Sequence, residues 1–241
     1  TKMIKNYISI KNRLFKEAYT EERRFFDKIV SLWVYSVTRP LSFLLTPFFI
    51  ILKINANFVT FIGFLFGLFS FSYCFYGSFI EAAIFYNLFL VFDSIDGNIA
   101  RLTKPTKIGE YYDAVTGDII NFFFIPFIGL GIYLNNVGFI LNNEFIINNI
   151  FVLSLVVSIL QLMFSLNSQR KKNIFKNNNG PVRVGSSEKV SIIEYIIRNS
   201  FGFAFNAPVS LLLAFYNALD ILIIYNLIIM PFVLIFSIFK K

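Results

Sequence analysis

Four aspartates interrupt an apolar stretch of this chain: Asp93, Asp96, Asp113 and Asp118, with Glu110 and Arg101 close by in sequence. Asp93 and Asp96 are three residues apart, about 60° around a helix, so they face one partner. Each charge inside a membrane costs ~2.5–3.5 kcal/mol even on a lenient scale, so four carboxylates demand cations or protons. The sequence has no His and a single Cys, Cys74. That composition excludes disulfide frameworks, thiolate zinc sites, haem and any triad built on His. A metal here must be held mainly by oxygens, which favours a hard divalent ion, Mg²⁺ or Mn²⁺. A cup of carboxylates suits two such ions bridging a phosphate, with Arg101 as a further phosphate contact. Gly97, directly after Asp96, leaves room for a bulky ligand against the backbone. The same acids would equally serve a proton or sodium pathway, and residue types alone leave the two readings level.

The elements that must position these residues are transmembrane helices. Of 241 residues, 56% are hydrophobic and 15% charged, with a mean hydropathy of +0.67; soluble domains carry roughly 25% charged residues. Six stretches come near the ~20 residues that a bilayer core requires. They run over Phe58–Phe79, Ala82–Ala100, Gly109–Leu134, Ile147–Leu166, Phe201–Leu219 and Ile221–Phe239. All 22 Lys and Arg residues lie in residues 1–53, 101–107, 168–200 and the terminal Lys240–Lys241 pair. The connections near Gly77–Glu81, Asn135–Ile146 and Asp220 have none. The positive-inside rule therefore predicts cytoplasmic termini and a cytoplasmic acidic cup, with Glu144 and Asp220 on the far side. The net charge of +8 is thus a topology signal and calls for no nucleic acid.

Arg39–Lys53 is predicted to be interfacial or re-entrant, too short to cross and interrupted by Pro40 and Pro47. Residues 1–38 are predicted to form a cytoplasmic, partly amphipathic extension, leaving 39–241 as the membrane domain. No cleavable signal peptide is expected. Gly63 and Gly67 form a G-x-x-x-G whose expected use is packing inside the bundle, with homodimer formation as the alternative. Arg170, Lys171, Lys172, Lys176, Arg183, Lys189 and Arg198 are read as a solvated positive-inside loop; recognition of a phosphorylated acceptor is the alternative. Ser187–Asn199 presents Val190, Ile193 and Ile197 on one helical face and is expected at the interface.

The order of the acidic residues favours the metal reading. FDSIDGNIARLTKPTKIGEYYDAVTGD resembles the signature of the CDP-alcohol phosphotransferases, D-x-x-D-G-x-x-A-R, eight residues, then G-x-x-x-D-x-x-x-D. Asp93, Asp96, Gly97, Ala100, Arg101, Gly109 and Asp113 supply its members in order. NANFVT is similar to the family's P-N-x-V-T, with Asn57 and Thr60 matching and Ala56 in place of Pro. The resemblance spans about residues 39–239. Two departures stand out. Seven residues separate Arg101 from Gly109, and Gly117 occupies the last motif position, with Asp118 one residue later. Counted from Asp96, however, Asp118 falls at the pattern's full distance of 22. On a regular helix it would lie some 140° from Asp113. A π-bulge near Gly117 is expected to turn it into the cup, within about 5 Å of another motif carboxylate.

The resemblance implies an all-α integral membrane enzyme with six spans and an N-terminal interfacial helix. Such an enzyme transfers a substituted phosphate from a CDP-linked lipid donor, often CDP-diacylglycerol, to a small alcohol acceptor and releases CMP. It implies that Asp93, Asp96 and Asp113 bind two divalent ions, Mg²⁺ or Mn²⁺, with Asp118 as a ligand and base. Asp96, Gly97, Ala100, Arg101 and Gly109 would bind the CDP-donor, joined by Asn57 and Thr60. Two alternatives remain: an ion-coupled transporter built on the same aspartates, and a non-catalytic relative that binds CDP-alcohols. Against the transporter, the two halves show neither an inverted repeat nor paired broken helices.

Overall fold

A computed structural model describes residues 2–140, 144–179, 195 and 199–239. Helix α1 (Lys2–Arg13) passes through a π-helical turn, Leu14–Ala18, to α2 (Glu21–Val30). A second π-helical turn, Val34–Thr38, leads into α3 (Arg39–Ile51). The bundle follows: α4 (Ala56–Phe75), α5 (Phe79–Leu102), α6 (Lys107–Asn135), α7 (Glu144–Asn179), α8 (Phe203–Ala214) and α9 (Leu219–Phe239). The described residues include no strand, as an all-α chain requires.

Among the described residues, five helices are long and apolar enough to cross a membrane: Val34–Ile51, Ala56–Phe75, Lys107–Asn135, Phe145–Lys171 and Leu219–Phe239. They make this a membrane protein, with a set of spans that differs from the expected six. The stretch read as interfacial qualifies, because the π-helical turn extends it upstream of Arg39 into one continuous helix. Pro40, which has no N–H to donate, falls where the π-helical turn gives way to α3. Arg39 is paired with Asp27, so its charge is not left bare. By contrast, α5 has 24 residues but includes Asn87, Asp93, Asp96 and Asn98, which keep it outside the five. The stretch expected over Phe201–Leu219 is helical only from Phe203 to Ala214, too short for a bilayer core.

Contacts fix the helix directions. Thr60 meets Asp96, and Ser70 donates to the carbonyl of Ala82, so α4 and α5 are antiparallel. A Cβ on Gly67 would lie 2.3 Å from Ile120, and one on Gly131 would lie 2.0 Å from the Cys74 carbonyl, so α4 and α6 are parallel. Gly63 abuts Phe92 of α5 while Gly67 abuts α6. Both glycines of the G-x-x-x-G are thus used inside the chain, as expected. Helix α7 returns antiparallel to α6: Gly129 abuts Ser154, and Ser158 donates to the Phe122 carbonyl at 2.7 Å. That carbonyl lies four residues before Pro126, whose missing N–H leaves it without its usual helical partner. Ser158 satisfies it from the neighbouring helix.

The connections without basic residues gather at one end. Gly77, with a left-handed φ of 73°, packs on Asn135, and Asp220 accepts from the N–H groups of Phe139 and Ile140. Asp220 is buried in that role. At the opposite end lie the start of α4, the end of α5 and the start of α6, which bear the motif.

The N-terminal extension packs on this motif-bearing end. Leu14, Ala18 and Tyr19 form a cluster with Phe43 and the last residue of α5, Leu102. Tyr7 donates to the Leu44 carbonyl, and Trp33 Nε1 donates to Asn87 Oδ1 at 2.8 Å.

Candidate active site

Helix α4 packs along both α5 and α6, while α5 and α6 touch each other little. They do meet at Tyr86, which stacks on Phe124 at 3.7 Å between centroids and donates to Asn121 Oδ1 at 2.8 Å. Asp93 lies two turns beyond Tyr86, about 10 Å towards the motif-bearing end. The aspartates therefore occupy a cleft with an aromatic floor, flanked by two helices and backed by α4.

The sequence at the mouth favours this entry geometry. Asn55 caps α4, accepting from Phe58 N at 2.8 Å, and Thr106 caps α6, accepting from Gly109 N at 3.1 Å. A Cβ on Gly109 would lie 2.7 Å from Asn57 Oδ1, so the two helix starts approach closely here and a larger residue would have to displace the Asn57 side chain. This brings together Asn57 and Gly109, residues 52 positions apart that the motif had placed in one donor site.

Thr60 Oγ1 donates to Asp96 Oδ2 at 2.6 Å. Asp96 is only 3% exposed, and its other oxygen, Oδ1, is buried without a hydrogen-bond partner among the described residues. Asp93 and Asp113 lie within hydrogen-bonding reach of each other across the cleft, and both act electrostatically on Asp96. Three of the four motif aspartates are therefore neighbours. Two facing carboxylates cannot both stay charged unless a cation or a shared proton relieves them.

Asp118 is different. Helix α6 is α-helical without interruption from Lys107 to Asn135, so the bulge expected near Gly117 does not form. Five regular residues turn the chain about 500° and leave Asp118 some 140° from Asp113. Its side chain is exposed, and no other motif aspartate acts on it. A Cβ on Gly117 would meet none of the described residues within 4 Å, so no packing among them forces the helix to rewind there. The expectation that Asp118 turns into the cup is corrected on this point: a run of favourable i→i−4 bonds prevails.

Arg101 folds back over Gly97, where a Cβ would lie 3.1 Å from Nη1. The room at Gly97 is filled by this guanidinium. Arg101 Nη2 donates to Asn98 Oδ1 at 2.9 Å, and Asn98 Nδ2 donates to Ser42 Oγ and Thr46 Oγ1. Asn98, Ser42 and Thr46 were not singled out from sequence. Their signal was a pair of hydroxyl residues four apart in an apolar segment, facing a buried asparagine within the motif. Among the basic residues of the 168–200 region, Lys171 donates to the Ser237 and Ile238 carbonyls at the end of α9, a helix C-terminus. Arg183, Lys189 and Arg198 lie outside the described residues, as does most of Ser187–Asn199.

The donor set fits a hard divalent ion. It consists of oxygens only, one of them buried without a partner, and of two facing carboxylates that need a positive charge between them. No group of three or more acidic side chains among the described residues is yet drawn to metal-holding distance.

Two comparisons bear on identity. No curated protein matches the chain. The sequence model of the CDP-alcohol phosphatidyltransferases matches residues 53–239, which include every residue of the cleft apart from Ser42 and Thr46. Helical architecture, motif order and this match lead to one conclusion: the chain belongs to the CDP-alcohol phosphatidyltransferase family, membrane transferases of substituted phosphate groups that act in phospholipid biosynthesis.

Proposed function

We propose that this protein transfers the phosphate-linked group of CDP-diacylglycerol to a small alcohol and releases CMP. The alcohol oxygen attacks the phosphorus that bears the lipid, and the bond from that phosphorus to the CMP phosphate breaks. The hydroxyl proton passes to a carboxylate. The observation that carries this reading is the meeting of Asp93 and Asp113 across the cleft beside the unpartnered oxygen of Asp96.

Asp93, Asp96 and Asp113 would hold two ions, Mg²⁺ or Mn²⁺. Bound there, the ions would neutralise the diphosphate and stabilise the attacking and leaving oxygens. Thr60 orients Asp96, and Asn98 orients Arg101, so both charged groups are set before substrate arrives. Asn57, Gly97, Ala100, Arg101 and Gly109 are assigned to the donor. Asp118 is assigned the hydroxyl proton. In its exposed position it needs a local rewinding of α6, or an acceptor that approaches along its face. The active site and both termini are assigned to the cytoplasm on the distribution of basic residues.

Release of CMP from CDP-diacylglycerol by the purified protein, with a panel of alcohols, tests the proposal. A transferase gives acceptor-dependent CMP. Absence of CMP with every alcohol would sink it.

A further inference from the structure

The arginines at the motif-bearing end are accounted for unequally. Arg13 pairs with Glu17, and Arg39 Nε donates to Asp27 Oδ2 at 2.7 Å. Arg24 lies over the rings of Phe15 and Tyr19. Arg23 and Arg101 are left over: each has a buried Nε without a partner, and neither forms an ion pair among the described residues. They come from distant parts of the chain, Arg23 from α2 and Arg101 from the end of α5. Even so, Arg23, Arg39 and Arg101 lie close enough to repel one another, and Asp93 and Asp113 act on the first and last.

Helix α2 is held in this position deliberately. Asp27 ties it to α3 through the buried pair with Arg39, whose side chains are 6% and 7% exposed. Asn199 ties its end to the bundle, donating to the Ile29 carbonyl and accepting from Leu32 N. Arg13 Nη2 reaches the Leu102 carbonyl. Burial, and then the Arg39 charge, pull Arg23 below arginine's ordinary value, yet a guanidinium stays charged at physiological pH. Burying two guanidinium groups whose Nε atoms find no partner among the described residues costs free energy unless an anion completes them.

We propose that Arg23, contributed by an extension outside the matched residues 53–239, joins Arg101 in a phosphate-binding subsite beside the aspartates. The planar fork of arginine suits phosphate oxygens. This rests on the transferase reading for the identity of the ligand, which is either the diphosphate of the CDP-donor or a phosphate carried by the acceptor alcohol. Arg39 acts as a positioning residue: its buried pair with Asp27 holds α2, and with it Arg23, against α3.

The test is calorimetric titration of the full-length protein in detergent, with MgCl₂ present, using CMP, CDP, glycerol phosphate and inorganic phosphate. Arg23→Gln should weaken binding of at least one phosphate ligand by about tenfold or more, the usual scale for a lost charge-assisted hydrogen bond. Lys28→Gln, which removes an exposed charge from the same helix, should change nothing. A loss for CDP but not CMP places the donor's diphosphate at Arg23; a loss for glycerol phosphate alone places the acceptor there. Should Arg23→Gln fail to fold, Arg23→Lys carries the test, because it keeps stem and charge but lacks the fork. Unchanged affinity for all four ligands in the folded variant would overturn the proposal, as would a wild-type protein that binds none of them. A wild-type protein that binds phosphate ligands through Arg23 but releases no CMP would count against the transfer reading alone.

Discussion

Asp93 on α5 and Asp113 on α6 hold their carboxyl groups within hydrogen-bonding reach, although their helices otherwise touch little. Two like groups brought together across a cleft are an arrangement that a cation resolves. CMP release should therefore need Mg²⁺ or Mn²⁺ and disappear with chelator. Asp93→Asn or Asp96→Asn should lower turnover by about 100-fold or more, the scale for removing one group that stabilises transition-state charge. Melting temperatures of the metal-free variants should hold or rise, because each loses a costly carboxylate. Full activity in chelator, or in either variant, would contradict the two-metal site.

Asp118 gives the sharpest test of the proton's destination. Asp118→Asn should keep CDP binding within a few-fold and lose about 10²–10⁴ in turnover, as expected for a lost general base. Gly117→Ala should fold normally, since nothing lies within 4 Å of its Cβ, and alanine should resist any rewinding of α6. A drop in turnover without loss of stability in Gly117→Ala would show that the helix must change its winding. An active Asp118→Asn enzyme, given the exposed position of the side chain, would move the search to Glu110.

Orientation can be read by labelling single cysteines. Native Cys74 is fully buried and should stay silent. Asn136 and Lys104 are exposed at opposite ends of α6. In intact cells, an impermeant maleimide should label Asn136→Cys and reach Lys104→Cys only after permeabilisation. The reverse pattern would invert the protein and place the aspartates on the wrong side for a cytoplasmic CDP-donor.

The buried Asp27–Arg39 pair should matter more for stability than an exposed pair such as Arg13–Glu17. Asp27→Ala leaves a buried guanidinium uncompensated and should destabilise by about 3–5 kcal/mol, whereas Glu17→Ala, in an exposed and solvent-screened pair, should change stability little. Adding Arg39→Met to Asp27→Ala should recover much of the loss. Thermal unfolding in one detergent checks all three; equal effects at both sites would show that Asp27 does not anchor α2.

Some of this architecture is written locally and was legible from the chain alone. Apolar runs near bilayer length mark α4, α6, α7 and α9, because lipid leaves a helix no other way to satisfy its backbone. Asp93 and Asp96 share a face because three residues fix their angle, and the motif's order points to a phosphate-transferring family before any contact is known. Tertiary structure decided what depends on longer distances. Whether Arg39–Ile51 stands alone or continues upstream depended on Asp27, which neutralises Arg39 from another helix. Asp118's direction depended on the winding of five residues, where one extra residue turns a side chain by about 100°. The place of Arg23 depended on how α2 docks, through Asn199 and Arg39, onto helices far away in sequence. Periodicity reports the face that a residue occupies on its own helix; only packing decides what that face meets.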